Sequence, residues 1–197
     1  MSLPSSEIAC PHCRKKLPPS FLGMPHHIIS LVGDQWSGKS YYLSVLTKVL
    51  PATLHREFGI VFQDGDPTGN APVNAMRKAL FGGQSPEQAY LEKTQPQSGM
   101  YERLPRQGRM VFLPRPFVYT LAAEDKAHEQ CALIFYDNAG EHFQPGRNDS
   151  DNPGAQHVAS AAGIMFLFDP FNSPEFRNSI RDTSGPSPKQ SVWCSTI

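Results

Sequence analysis

A lysine and a hydroxyl residue sit side by side behind two spaced glycines in Gly33-Asp34-Gln35-Trp36-Ser37-Gly38-Lys39-Ser40, a full match to G-x-x-x-x-G-K-[ST]. Glycine lets such a backbone curl until successive N–H groups point inward at phosphate oxygens. The Lys39 ammonium then reaches the β- and γ-phosphates of a nucleoside triphosphate, and the Ser40 hydroxyl ligates Mg²⁺. Gly33 to Ser40, with Tyr41 just beyond, form the candidate nucleotide-binding set. Far downstream, Asp137-Asn138-Ala139-Gly140 supplies the complement. A carboxylate there can hold the same Mg²⁺, and the Gly140 N–H can approach a γ-phosphate with no side chain in the way.

These residues need a particular scaffold to meet. Ile28 to Val32 has the character of a buried strand, and Tyr41 to Leu50 that of a helix ended by Pro51. Strand, loop and helix are the context the first motif requires. Cys131 to Tyr136 is a continuous apolar run ending in Asp137, as expected of a central strand covered on both faces. Its carboxyl end is where an open α/β sheet binds a ligand. Gly163 to Pro170 predicts a second such strand, and Phe58 to Phe62 a short one. Met110–Leu113 and Phe117–Leu121 predict strand segments interrupted by Pro114 and Pro116, hence an edge strand or a bulge. Helical spacing of Val73, Met76 and Leu80 predicts a helix over 72–81, stopped by Gly82-Gly83. A short helix is expected near 156–162, and residues 64–70 and 84–108 are expected to be loops.

Composition excludes several classes. Lys+Arg and Asp+Glu are 18 each, which argues against a broad basic face for nucleic acid. The longest apolar stretch, 161–168, is too short to cross a bilayer. With no signal-peptide pattern and only four cysteines, the expected compartment is the cytoplasm. Nineteen prolines and fifteen glycines predict long loops. The divisions expected are a Cys-containing leader over 1–25, an α/β domain over 26–170, and a polar, poorly ordered tail over 171–197. Cys10-Pro11-His12-Cys13 resembles one knuckle of a zinc ribbon, but Cys10 and Cys13 supply only half the ligands that structural zinc wants.

The paired motifs resemble the first and third motifs of P-loop GTPases in the translation-factor-related class. The wider pattern, from the C-P-x-C leader through "IISLVGDQWSGKSYYL", "LPRPFVYTL", "ALIFYDNAGE" and "IMFLFDP", resembles the bacterial double-GTPase type. That resemblance implies a three-layer α/β P-loop NTPase with a mainly parallel central sheet. It implies GTP or ATP as substrate, Mg²⁺ on Ser40 and Asp137, and an unidentified protein partner or activator. It also offers Thr94 as the switch threonine that ligates Mg²⁺, with an ordinary loop threonine as the alternative that stays open. Glu141 stands where small GTPases place the water-orienting glutamine, and His142 follows it. Glu141 can accept from water but cannot also donate to the γ-phosphate. Arg103, Arg106, Arg109 and Arg115 surround the expected switch.

One departure bears on the base. The family's guanine-reading [NT]-K-x-D does not occur after Phe168. With only three central strands expected, the sheet would be cut short on its C-terminal side, leaving an open apolar edge at 164–168. A GTPase switch, an ATPase of similar layout and a non-hydrolysing nucleotide-binding module all remain open at this point.

Overall fold

The β-rich second half and the helical first half of this chain join in one five-stranded sheet. The computed structural model describes residues 23–83, 99–106, 109–125, 129–143 and 153–183. Strand β1 (His26–Val32) leads through the Gly33–Gly38 loop into helix α1 (Lys39–Phe58). Strand β2 (Ile60–Asp64) and helix α2 (Ala71–Phe81) follow, then β3 (Tyr101–Arg106), β4 (Arg109–Pro114), β5 (Pro116–Ala123) and β6 (Gln130–Asp137). After 3-10 helices at Gly140–Phe143 and Pro153–Ser160 come β7 (Gly163–Phe166), a 3-10 turn at Pro170–Asn172 and helix α3 (Pro174–Thr183).

The sheet order is β2-β5-β6-β1-β7, and β3-β4 form a separate ribbon. β1 pairs in parallel with β6 and β7, whereas β5 is antiparallel to both β2 and β6. The sheet is therefore mixed rather than mainly parallel. The cause is connection length: the turn between β5 and β6 is too short for a crossover, so those strands must run antiparallel. Of the three strands expected to be central, β1 and β6 are, whereas β7 lies at one edge and β5 takes the third interior place.

Three local expectations also change. Helix α1 runs through Pro51 to Phe58. Pro51 lacks the N–H that would bond the Thr47 carbonyl, and the Arg77 guanidinium of α2 approaches that oxygen at 3.5 Å. The helix closes at Gly59, in the left-handed conformation at φ 61°, whose N–H donates to His55 O at 3.0 Å. Pro114 falls on an edge strand as expected, since both strands of the β3–β4 ribbon are edges, but Pro116 marks neither an edge nor a bulge. Pro114 ends β4 and Pro116 begins β5, a position where a strand tolerates proline, so β5 sits between β2 and β6. Residues 101–106, expected to be loop, form β3 despite Pro105, because β4 pairs with them from Tyr101↔Pro114 to Arg106↔Arg109.

The core lies between the sheet and helices α1 and α2, built by Leu31, Leu43, Val73, Phe117, Tyr119 and Phe135. Phe62 stacks on Tyr119 at 4.7 Å and Phe135 meets it edge-on at 5.9 Å. Leu31, Phe117, Tyr119 and Phe135 occupy alternate positions on their strands, so they share one face. On the other face, Ser30 of β1 meets His157 of the Pro153–Ser160 helix. The apolar edge expected at 164–168 is present: Ile164, Phe166 and Phe168 are 56%, 69% and 68% exposed on the β7 side. The β7 strand stops at Phe166, short of Pro170, where Asp169 Oδ1 accepts from Phe171 N at 2.9 Å and turns the chain. Part of the expected loose tail is helix α3, and 184–197 lie outside the described residues. No helix among the described residues is long and apolar enough to cross a membrane.

The segment 64–70 does more than turn. Asn70 is fully buried. Its Oδ1 accepts from Val118 N at 2.9 Å, and its Nδ2 donates to Val118 O at 2.7 Å and to Asp64 Oδ1. The amide thus extends the β2–β5 ladder past Asp64 and fixes the start of α2. Asn70→Ala strands a buried N–H of β5 and is expected to cost about 2–4 kcal/mol. A fall in the urea midpoint at unchanged m-value is the check, and an unchanged midpoint would refute the clamp.

Candidate functional site

The Gly33–Ser40 loop curls around its own lysine. Trp36 has φ 64° and Gly38 has φ 81°, both left-handed, so the backbone reverses twice within three residues. Gly38 is the N-cap of α1, no side chain caps that terminus, and the first turn holds no acidic residue. Its positive dipole end is thereby left to act on an anion. Lys39 is only 7% exposed. Its Nζ donates to Gly33 O at 2.9 Å, Asp34 O at 2.6 Å and Ser37 Oγ at 3.3 Å. The loop and its ammonium form one preorganised cationic unit. Gly33 must be glycine because a Cβ would meet the Leu167 carbonyl and, at 2.7 Å, the Ser37 hydroxyl.

The second motif meets the first directly. Ser40 Oγ donates to Asp137 Oδ2 at 2.6 Å, across 97 positions of sequence. This follows from the register, since parallel pairing aligns Leu31 with Asp137 and brings both strand ends to one rim. Asp137 is 1% exposed, and its Oδ1 is buried with no hydrogen-bond partner among the described residues. Burial pushes its pKa up to about 6, while the Ser40 hydrogen bond and the Lys39 charge pull the other way. An orphaned, desolvated carboxylate oxygen beside a hydroxyl suits a hard divalent cation such as Mg²⁺. Gly140 lies flat on the loop: a Cβ there would strike the Asp34 carbonyl carbon and the Gln35 nitrogen.

Several supporting residues carry no sequence signal of their own. Tyr101, 5% exposed on β3, offers its hydroxyl oxygen to Ala139 N and so ties the β3–β4 ribbon to the Asp137–Gly140 turn. Asn138, 1% exposed, hydrogen-bonds His157. Tyrosine and asparagine in polar stretches look like loop residues, and only the fold reveals their partners. Asp34 Oδ1 accepts from Gln35 N at 2.7 Å within the loop. Trp36 projects outward at 64% exposure, and Tyr41 is 39% exposed on α1.

The remaining sequence candidates fall differently. The Gly140–Phe143 turn carries the backbone of Glu141 and His142, whose side chains lie outside the description. Thr94, Cys10 and Cys13 lie outside the described residues. Arg103 and Arg109 are exposed on the β3–β4 ribbon. Among the described residues, no three His, Cys, Asp or Glu side chains converge as a metal-ligand group. No family model matches this chain, and comparison with curated proteins and with solved structures gives no match.

Proposed function

We propose that this chain binds a nucleoside triphosphate with Mg²⁺ and hydrolyses its β–γ bond, acting as a GTPase-type switch. The observation that carries this reading is the 2.6 Å contact of Ser40 with the buried Asp137, at the base of a loop that encloses Lys39. Two groups chosen from sequence as partners for one metal occupy one spot on the sheet rim.

In this mechanism the loop amides and the α1 terminus receive the phosphates, and the Lys39 ammonium turns from carbonyl acceptors to the stronger phosphate oxygens. Ser40 and Asp137 would hold the metal, whose charge would offset what develops on the β- and γ-phosphate oxygens. Gly140, lacking a Cβ, lets its backbone N–H face the γ-phosphate. Glu141 accepts a hydrogen bond from the attacking water, the role implied by its place after Gly140. Water oxygen bonds to the γ-phosphorus, the bond to the β–γ bridging oxygen breaks, and the products are nucleoside diphosphate and inorganic phosphate. With a carboxylate in place of glutamine, intrinsic turnover is slow and rises with a partner.

The absence of [NT]-K-x-D after Phe168 makes an ATPase of the same layout the second reading. Titration with fluorescent GTP and ATP analogues, with and without Mg²⁺, separates the two. Tightening by Mg²⁺ is the expected result, and the preferred base names the substrate. No binding of either nucleotide would overturn the proposal.

A further inference from the structure

His157 sits where none of the chemistry just described requires it, yet it bridges two of the most buried polar residues of the chain. Ser30 of β1 is 0% exposed and Asn138 is 1% exposed. The ring nitrogens of His157 lie 2.7 Å from each: Nδ1 from Ser30 Oγ and Nε2 from Asn138 Nδ2. With Asn138 Nδ2 as the donor, Nε2 accepts and Nδ1 carries the ring proton toward Ser30 Oγ. The imidazole also stacks on Tyr136 at 4.3 Å and 8° between planes. Three separate elements are locked together: β1, the Pro153–Ser160 helix and the turn that follows β6.

Asn138 directly follows the metal-side carboxylate of Asp137 and stands two residues before the glycine proposed to approach the γ-phosphate. Resting on the triphosphate reading above, we infer that His157 is a positioning residue for the Asp137–Gly140 turn. It acts through Asn138 and touches neither nucleotide nor metal. Two anchors then hold this turn: Tyr101 from the β3–β4 ribbon at Ala139, and His157 from the Pro153–Ser160 helix at Asn138. The turn cannot swing without breaking one of them. A turn held at both points keeps Asp137 under Ser40 and Gly140 against Asp34, which the Mg²⁺-dependent part of binding requires and the Mg²⁺-independent part does not.

The test compares His157→Phe with the parent protein. Phenylalanine keeps the ring stack on Tyr136 and removes both hydrogen bonds. Affinity for fluorescent GTP and ATP is measured with Mg²⁺ and with chelator, alongside the thermal midpoint. The expected result is near-parental affinity in chelator with a tenfold or greater loss of the gain that Mg²⁺ confers. His157→Gln, whose amide can still accept from Asn138 and donate to Ser30, is expected to recover part of that gain. It also serves if the phenylalanine variant does not fold. A role confined to packing would lower the midpoint and leave the Mg²⁺/chelator ratio unchanged in both variants, and that result overturns the inference. If the parent binds neither nucleotide, the triphosphate reading falls and this inference with it. A parent that binds with a clear Mg²⁺ gain, beside His157 variants with the same gain, overturns the inference alone.

Discussion

Lys39→Ala is expected to abolish triphosphate binding while the chain stays folded. Lys39 is 7% exposed, and its ammonium is held by three oxygens of its own loop, two of them main-chain carbonyls. A phosphate competing for those N–H donors gains a charge-assisted bond in a site with little water. Truncating one partner of such a desolvated charge pair costs about 2–5 kcal/mol, which is roughly 30-fold to several thousandfold in Kd. The folded chain loses less. Removing the lysine also removes the desolvation of a buried cation, and of the two freed carbonyls that of Asp34 belongs to an exposed residue while only that of Gly33 is buried. Calorimetric titration with Mg·GTP, Mg·ATP and inorganic tripolyphosphate checks the expectation. Parental affinity for all three, in a variant with native circular dichroism, would end the phosphate-loop reading.

The parts of this site that sequence made legible are those whose signal is local. Gly33 to Ser40 announces itself within eight residues because the loop's geometry needs glycine, lysine and serine at fixed offsets. Asp137 is legible because an apolar strand ends in it. The strand assignments around them held for the same reason, with β1 and β6 recognisable as apolar runs. What escaped was set by contacts between distant residues. Asn70 bonds Val118, 48 positions away, and looks like turn chemistry until the ladder is seen. Tyr101 lies 38 positions from Ala139, and Ser30 lies 127 from His157. Proline misled twice. Pro51 removes one bond from α1, but packing and Arg77 carry the helix onward, while Pro116 begins an interior strand where an edge or bulge was expected. The mixed sheet was hidden by a similar limit: apolar runs indicate that a strand is covered on both faces but not which way its neighbour points.

Asp137→Asn is expected to separate metal binding from stability, with opposite signs. The Oδ1 atom has no hydrogen-bond partner among the described residues, and burial raises the carboxyl from 3.8 to about 6. The unfolded chain therefore loses this proton near 3.8 and the folded chain near 6. Between those values the folded state holds more protons, so this group's contribution to stability falls as pH rises through that window. Below 3.8 it costs nothing, and above 6 the full cost applies, about 3 kcal/mol. Asparagine removes that charge. Its own N–H groups, set in the same dry place, take back part of the benefit, leaving a net gain of about 1–2 kcal/mol at pH 7. Without metal, the variant should thus melt higher than the parent at pH 7, and the order should reverse near pH 4, where the parent's carboxyl is protonated and the cost of the buried amide remains. Added Mg²⁺ and triphosphate should reverse the order, because the parent's carboxylate binds the ion and the amide does so poorly. The variant should keep its nucleotide affinity in chelator and lose the Mg²⁺-dependent gain and all turnover. Thermal melts across pH 4–8, with and without Mg²⁺, read both signs in one series. A variant less stable than the parent at pH 7, or one still tightened by Mg²⁺ as the parent is, would show that Asp137 serves the strand end alone. A residue that destabilises its own fold at neutral pH makes physical sense where a bound cation repays it.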